Sequence, residues 1–319
     1  MQTKPRPSET SRSLASLLAC LGLALLIAGL PTIATSCKAE QKGAPMTQKT
    51  AELLVMSFNV LDEGGGTTGW ASPTGRGRHQ KAIKTIQAVA PDIMGVQEDR
   101  QVQAEDIQKG LGESYAYFGV GGEDGEAKGR FNSIFYRNDR FARTDQGTIW
   151  LSDNPDTAGS AFAGMGPRTA TWVKLRDTKT NQSYFVLNAH WENGSHGARI
   201  NSAKLLRRRI PILAGGLPVI VTGDLNCKED SSEFQDLLGR NDPEGFQLRD
   251  AYRQLFPEAR PDQEGTCENN PKAPRIDFIL HTDFFKPAEV VIHRERVDGG
   301  WGSDHFPVAA TLLVAVAGD

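Results

Sequence analysis

Six short apolar segments of the chain begin or end with polar side chains that are costly to bury. These side chains are acids, amides and histidines, the groups that bind cations, hold phosphate oxygens and move protons. The segments are Ser57–Val60 (SFNV), Val96–Glu98 (VQE), Asn188–His190 (NAH), Gly223–Asn226 (GDLN), Arg275–Leu280 (RIDFIL) and Ser303–Val308 (SDHFPV). Because strand ends converge on a common rim in layered α/β folds, the six segments predict one shared site.

The oxygen donors in this set favour a hard cation. Glu98 and Asp304 supply carboxylates and Asn59 supplies an amide oxygen. Such ligands suit Mg²⁺ or Mn²⁺, whereas zinc prefers histidine and cysteine. Asp224 and Asn226 can orient a water molecule and hold a phosphoryl oxygen.

Two histidines, His190 and His305, complete the set. Each can donate a hydrogen bond to a phosphate or transfer a proton. A hard cation, donors for phosphate oxygens and a carboxylate that orients water are the groups that phosphoester hydrolysis needs.

The elements that must position these residues are strands in hairpin-like neighbours and helices in two groups. Helical spacing of apolar residues predicts helices over 78–90, 102–111 and 198–213, the last disturbed at Pro211. Apolar runs predict strands at 53–60, 93–96, 115–120, 132–137, 171–176, 183–189, 217–222, 276–281, 290–293 and 308–314. Neighbouring strands follow one another as in hairpins, which indicates α/β layers with mixed sheets. Since no internal stretch of 51–316 has the composition of a linker, we predict one domain.

Composition excludes several classes of protein. The chain has 319 residues, 39% of them hydrophobic, and a net charge of -3. These values exclude a collagen, a coiled coil, a wholly disordered chain and a membrane protein with several spans. The charge balance does not support tight binding of a polyanion.

The N-terminus is typical of an export signal. Lys4, Arg6 and Arg12 precede an apolar stretch from 14 to 34, so residues 1–36 are interpreted as a signal peptide. Small residues before Cys37 are similar to a bacterial lipoprotein signal, which leaves a lipid-anchored and a freely secreted protein as alternatives. Residues 37–50 are polar and predict a flexible linker. Removal of 1–36, with three basic side chains and one acid, lowers the net charge by two, from -3 to -5.

Taken in order, the six segments resemble the endonuclease/exonuclease/phosphatase superfamily of Mg²⁺-dependent phosphohydrolases. The segment 119–137 (GVGGEDGEAKGRFNSIFYR) resembles a version found in secreted bacterial members. The resemblance covers about 50–316, nearly the whole exported chain. It implies a four-layer α/β sandwich in which two mixed β-sheets pack face to face with helices outside. It also implies attack of an activated water on a phosphoester.

The resemblance also implies roles for the residues of the site. Glu98 is expected to be the main metal ligand, with Asn59 and Asp304 beside it, and Mg²⁺ or Mn²⁺ is the expected cation. Asp224 is expected to activate the water, and Asn226 to bind a phosphoryl oxygen. His305, oriented by Asp277, is expected either to act as general base or to interact with the phosphate. His190 is expected to donate a hydrogen bond to the phosphate or to the leaving oxygen. Which histidine is acid and which is base stays open.

Other residues are candidates for substrate binding. Trp191 and Trp301 adjoin the NAH and SDH motifs and either wall a substrate pocket or pack in the core. Asn132 is a further candidate in the Gly-rich segment. This chain departs from relatives at Arg130, where many carry Glu, and at Ser133, where many carry Pro. These departures affect substrate choice and leave the reaction class unchanged.

Several functions compete on this fold. The first prediction is an exported phosphodiesterase or endonuclease, acting as a monomer. A lipid or sugar phosphate hydrolase is the alternative within the same reaction class, so the substrate is a nucleic acid, a phospholipid or a sugar phosphate. A non-catalytic surface binding module is the alternative outside it, and the complete set of polar residues disfavours that reading. The exported protein is expected in the periplasm, outside the cell or on the outer membrane.

Two cysteines remain in the exported domain after Cys37. In the family the loop after GDLN and the Gly-Thr loop lie near each other, and these loops carry Cys227 and Cys267. In an exported protein this placement predicts a disulfide.

Overall fold

The computed structural model of the protein describes residues 50–63, 69–71, 77–162, 165–260 and 262–316, all within one compact unit. Its strands are β1 (Thr50–Asn59), β2 (Ile93–Gln97), β3 (Tyr115–Phe118), β4 (Ile134–Arg137), β5 (Phe141–Trp150), β6 (Thr169–Asp177), β7 (Ser183–His190), β8 (Val219–Asp224), β9 (Arg249–Asp250), β10 (Asp277–His281), β11 (Phe285–Ile292) and β12 (Val308–Ala315). Its helices are α1 (His79–Val89), α2 (Gln101–Leu111), α3 (His196–Ala214), α4 (Ser232–Leu238) and α5 (Ala251–Leu255), with a 3₁₀ turn at Gly112–Ser114.

The strands form two six-stranded sheets. The first sheet has the order β11-β12-β1-β2-β4-β3 and the second has the order β5-β6-β7-β8-β10-β9. Only the central pairs, β1 with β2 and β7 with β8, are parallel. Both sheets are therefore mixed, and their parallel centres place the carboxyl ends of four strands side by side.

Local sequence explains where these elements begin and end. Strands β2 and β8 are buried along their whole length, as expected for apolar runs covered on both faces. Helix α1 ends at Ala90, which adopts a left-handed conformation directly before Pro91. Helix α3 begins after Ser195, whose side chain accepts a hydrogen bond from Ala198 N, and continues through Pro211 to a left-handed Gly215.

Three buried apolar clusters define four layers. One cluster lies between the sheets and includes Val55 and Val186. The second joins the second sheet to α3 and α4, and the third joins the first sheet to α1 and α2. This order of helix, sheet, sheet and helix confirms the predicted four-layer α/β sandwich.

A polar seam crosses the apolar interior directly beneath the strand ends. Gln97 Nε2 donates to Asn188 Oδ1 at 2.6 Å and to Ser57 Oγ at 3.1 Å, and Thr222 Oγ1 donates to the same Asn188 oxygen at 3.1 Å. The sheets approach so closely here that a Cβ on Gly95 would lie 2.0 Å from Thr222 Oγ1. These bonds fix the relative position of four strands one or two residues before the predicted site.

Candidate active site

The predicted site residues meet at one rim because of the strand register. His190 ends β7 directly beside Asp224 at the end of β8, and Asp277 at the start of β10 lies on the other side of Asp224. In the first sheet, Asn59 at the end of β1 pairs with Gln97 of β2, which precedes Glu98. The rim therefore collects acids, amides and histidines from both sheets.

Asn59 links the two halves of the site. Its Nδ2 donates to Asp224 Oδ2 at 2.9 Å and to Glu98 Oε1 at 3.4 Å. Its Oδ1 accepts from Leu61 N at 2.9 Å. In this orientation the amide offers donors to the carboxylates, so its role as a metal ligand stays a prediction.

Glu98 lies partly exposed at the mouth of the site. It adopts a left-handed backbone conformation with φ of 62°, which is unfavourable for a residue with a side chain and is typical of functional positions. Its Oε2 accepts from Asp62 N at 3.2 Å and lies 3.5 Å from Arg130 Nη2. All of its contacts exceed 3 Å, so its oxygens are loosely held.

His190 and Asn226 form one side of the site. Asn226 Nδ2 lies 3.0 Å from His190 Nε2 and donates to the Trp191 carbonyl at 3.0 Å. Asn226 N also donates to Asp224 Oδ1 at 3.0 Å, which the left-handed φ of 48° at Asn226 permits. Arg168 Nη1 lies 3.2 Å from both nitrogens of the His190 ring.

His305 and Asp277 form the other side. His305 Nδ1 lies 2.8 Å from Asp277 Oδ2, and His305 Nε2 lies 3.8 Å from Asp224 Oδ2. Among the described residues, Asp224, Asp277 and His305 have ligand atoms within 4.8 Å of one another. The short His305–Asp277 contact fits an orienting pair, in which the acid fixes the ring and its tautomer.

Burial and neighbouring charges shift the pKa values in different directions. Burial, together with the charge of Asp277, raises the pKa of Asp224 to about 7. Burial lowers the pKa of His190 well below its usual value, and the cations Arg168 and Arg130 act in the same direction. Burial also acts to lower the pKa of His305, but the carboxylates of Asp277, Asp224 and Asp304 together outweigh it and raise that pKa to about 10.

Arg78 is a buried residue that belongs to none of the six motifs. Its side chain donates to the carbonyls of Val60 and Asp62, to Leu61 O at 2.6 Å and to Gly302 O at 3.3 Å. It thereby holds the segment after β1 against the loop that carries the SDH motif.

Asp304 shares this neighbourhood with Glu98. Burial lowers the pKa of Arg78, and the nearby carboxylates of Asp304, Asp62 and Glu98 oppose that shift. Ser303 Oγ donates to Asn59 O at 2.7 Å and so ties the SDH loop to the end of β1. The three predicted metal ligands therefore lie in segments that are bonded to one another.

Of the three predicted substrate-binding residues, Trp191 and Asn132 are buried and Trp301 is partly buried. Trp191 is 0% exposed and belongs to the core between the second sheet and its helices. Its side chain points inward because neighbouring residues of a strand alternate between faces, so Trp191 and His190 diverge. Trp301 packs edge-on against Phe306 and donates from Nε1 to Arg294 O at 3.1 Å. Asn132 is buried and donates to Thr169 O at 3.0 Å, so it positions the start of β6.

The predicted disulfide is not formed. Cys227 and Cys267 are free, buried thiols. Cys227 packs in the apolar cluster under α3 and α4, and Cys267 Sγ lies 3.5 Å from Pro274 O, so each thiol has its own buried environment. Burial raises the pKa of each to about 12, so both are unreactive at neutral pH.

The predicted signal peptide, Cys37 and the linker up to residue 49 lie outside the described residues. Thr50, the last residue of the predicted linker, is the first residue of β1. Within the described ranges, no helix has the length and apolar character required to cross a bilayer.

All the residues of this rim lie in the part of the chain that matches a known protein family. The model of the Endonuclease/Exonuclease/phosphatase family matches residues 56–305, from β1 to the histidine of the SDH motif. The chain belongs to this family. It is accordingly a phosphoester hydrolase, which confirms the reaction class predicted from the six segments.

Solved structures of the family resemble the chain over almost their full length. A family member from Bacteroides vulgatus has 29% identity and a TM-score of 0.73, with 82% of this chain and 98% of that chain covered. One from Bacteroides thetaiotaomicron has 26% identity and a TM-score of 0.72, covering 83% and 98%. A mannosyl-6-phosphatase from Bacteroides thetaiotaomicron has 27% identity and a TM-score of 0.70, covering 82% and 99%. Among curated proteins, none matches the chain significantly.

Proposed function

We propose that this phosphoester hydrolase is exported, requires a divalent cation and releases phosphate from small phosphomonoesters by attack of water on phosphorus. The observation that carries the proposal is the pair of histidines, His190 and His305, on either side of the buried Asp224 carboxylate. Donors flanking a carboxylate provide both a group to orient water and groups to hold the phosphate.

The ligands present fit a hard cation. Glu98 and Asp304 would hold it through carboxylate oxygens, and Asn59 through its amide oxygen if the amide turned. Glu98 suits this role because the contacts of its oxygens with the described residues are 3.2–3.8 Å long and its side chain remains partly exposed. Bound Mg²⁺ or Mn²⁺ would supply positive charge to a phosphoryl oxygen.

The residues of the second sheet would handle water and phosphate. Asp224, buried between the two histidines, accepts from Asn59 and Asn226 and orients the attacking water. His305 is fixed through Nδ1 by Asp277, so its Nε2 faces the reacting group and donates to a phosphoryl oxygen. Asn226 and His190 contribute further polar contacts to the same phosphate.

Two observations support a small phosphomonoester over the predicted phosphodiester. The mannosyl-6-phosphatase resembles the chain over 99% of its length at 27% identity. Arg168 also lies 3.2 Å from His190, and this cation matches the higher charge of a monoester. A phosphodiesterase or endonuclease is the competing outcome of the substrate tests.

Export is supported by the basic and apolar pattern of residues 1–36. Expressed in a bacterial host, the protein should lose this segment, and mass spectrometry of the exported chain should find a new N-terminus. Lipidation at Cys37 would add acyl mass, which Cys37→Ala would abolish. An intact N-terminus on a cytoplasmic protein would contradict export.

The enzymatic test combines a metal series with a substrate panel. Phosphate release is measured on sugar phosphates, phospholipids, DNA and RNA with Mg²⁺, with Mn²⁺ and with EDTA. We expect release from sugar phosphates that EDTA abolishes. Unchanged rates in EDTA, or activity on nucleic acid alone, would contradict the proposal.

The matched variants for this test are Glu98→Gln and Glu105→Gln. We expect Glu98→Gln to need a higher metal concentration for activity. Its loss of activity should exceed the roughly 10–100-fold loss that follows mutation of a residue that only supports a metal ligand. Glu105 lies on the exposed face of α2, bonded to Gln101, and its variant should behave as wild type. Ordinary metal dependence in Glu98→Gln would exclude Glu98 as a metal ligand.

A further inference from the structure

Three arginines line a cleft beside the catalytic rim. This cleft has a volume of about 280 Å³ and is here called the arginine cleft. Besides the arginines Arg100, Arg130 and Arg168, its lining includes the acids Glu123 and Glu192 and the backbone around Gly122, Gly166 and Pro167. Side chains of Arg100 and Arg130 are 37% and 43% exposed, so a ligand can reach them. None of these three arginines belongs to the six segments that carry the hydrolytic chemistry.

In each of the three arginines, the Nε atom of the guanidinium group contacts a carboxylate. Arg100 Nε and Arg130 Nε each lie 3.0 Å from Asp62 Oδ2, and Arg168 Nε lies 3.0 Å from Glu192 Oε2. Anchoring through Nε fixes each planar group while its terminal nitrogens extend further. Terminal guanidinium nitrogens held in this way are suited to bind two oxygens of a phosphate or carboxylate.

The arginine cleft is continuous with the catalytic site. Arg130 Nη2 lies 3.5 Å from Glu98 Oε2, and Arg168 Nη1 lies 3.2 Å from His190. A substrate whose scissile phosphate lies among Glu98, His190 and Asp224 can therefore extend into the cleft.

We propose that the arginine cleft binds a second anionic group, a phosphate or carboxylate, on the same substrate as the scissile phosphate. This inference rests on the proposed phosphatase function and names the class of substrate within it. Arg130 is the main specificity residue, because it contacts both Asp62 and the rim at Glu98. Arg100 supports it through the same oxygen of Asp62.

The surroundings of the cleft favour a small substrate over a nucleic acid strand. Glu123 and Glu192 stand in the same lining, so acidic side chains interrupt its positive charge. The whole chain has a net charge of -3, which opposes the binding of a long polyanion. One additional anionic group matches a cleft of this size and charge.

The experiment uses substrates with one cleavable phosphate. Phenyl phosphates carrying a methylphosphonate group at the meta or para position are compared with neutral carbamoyl analogues, and kcat and KM are measured at saturating metal. A 5′-phosphorylated oligothymidylate tests nucleic acid as the source of the second anion. Wild type is compared with Arg130→Gln, Arg100→Gln and the control Arg249→Gln, whose side chain pairs with Asp283 on the surface.

We expect the phosphonate to raise kcat/KM of the wild type by about 10–100-fold, mainly through KM, as expected for hydrogen bonds to a charged group. Arg130→Gln and Arg100→Gln should lose this preference yet still hydrolyse the carbamoyl analogues, and Arg249→Gln should retain it. Equal kcat/KM for charged and neutral substrates, retention of the preference in both cleft variants, or a preference confined to the oligonucleotide would overturn the inference. Failure of the wild type to hydrolyse any of the phenyl phosphates would instead count against the proposed function.

Discussion

Two histidines on opposite sides of one carboxylate have opposite surroundings. His190 Nε2 lies 3.5 Å, and His305 Nε2 lies 3.8 Å, from the same oxygen of Asp224. The acid Asp277 supports His305, whereas the cation Arg168 and the amide of Asn226 surround His190. Similar distances to Asp224 therefore conceal different electrostatic environments.

The difference separates the roles of the two rings. Burial lowers the pKa of His190, and Arg168 adds to this effect, so the ring is neutral at neutral pH. At His305, Asp277 acts with Asp224 and Asp304 to overcome the effect of burial and raise the pKa to about 10, so that ring carries a proton. The charged ring can donate to a phosphoryl oxygen or to the leaving group, and the neutral ring can accept a hydrogen bond. The neighbouring residues of the two histidines therefore give the same side chain two different protonation states.

The largest effect is expected from removal of the charged ring. His305→Ala should lower kcat by about 10²–10⁴-fold, the range for a positioned acid or base group. The assay is phosphate release at saturating metal, and His293→Gln, which alters a histidine beside Glu295, is the control. Activity within a few-fold of wild type would remove His305 from the chemistry.

Asp277→Asn should impair turnover less than His305→Ala, because the ring stays in place. Without the negative partner, the pKa of His305 should fall from about 10 towards the usual histidine value, since a neutral amide no longer favours the charged ring. The alkaline limb of the pH–rate profile should therefore move to lower pH, which can be followed alongside the ring resonance by NMR. A harmless substitution would show that the pair has no function.

The smallest effect is expected on the His190 side. Arg168→Gln should lower kcat/KM by about tenfold, as for loss of one hydrogen bond from a charged group. Removal of the cation should raise the pKa of His190, although burial keeps it below the usual value. NMR titration of the ring measures this change, and a lower pKa in the variant would contradict the role assigned to Arg168.

The sequence predicted the residues that carry a motif and missed those whose role depends on convergence. Glu98, Asp224 and His305 end or precede apolar strands, and strand register alone brings them together. Arg78 belongs to no motif, and its role appears only when the carbonyls after β1 meet the loop at Gly302. The role of Arg168 likewise becomes apparent only from its distance to His190 in the folded structure.

The same contrast holds for the fold. The strands with continuous apolar runs were predicted. The helix predicted over 198–213 is α3 (His196–Ala214), and the expected disturbance at Pro211 does not interrupt it. Strand β5 was missed because its centre is exposed and polar and resembles a loop. Trp191 was a candidate through its position next to His190, but the alternation of side chains along the chain sends it into the core.

The most direct test of the account follows the oxygen atom of the attacking water into the reaction products. A sugar phosphate is hydrolysed by the wild type with Mg²⁺ in H₂¹⁸O, and the products are analysed by mass spectrometry. Attack on phosphorus by a water that Asp224 orients predicts one ¹⁸O atom in the phosphate and none in the alcohol, with the reaction lost in Glu98→Gln. Label in the alcohol, or unlabelled phosphate, would contradict hydrolysis at phosphorus by this site.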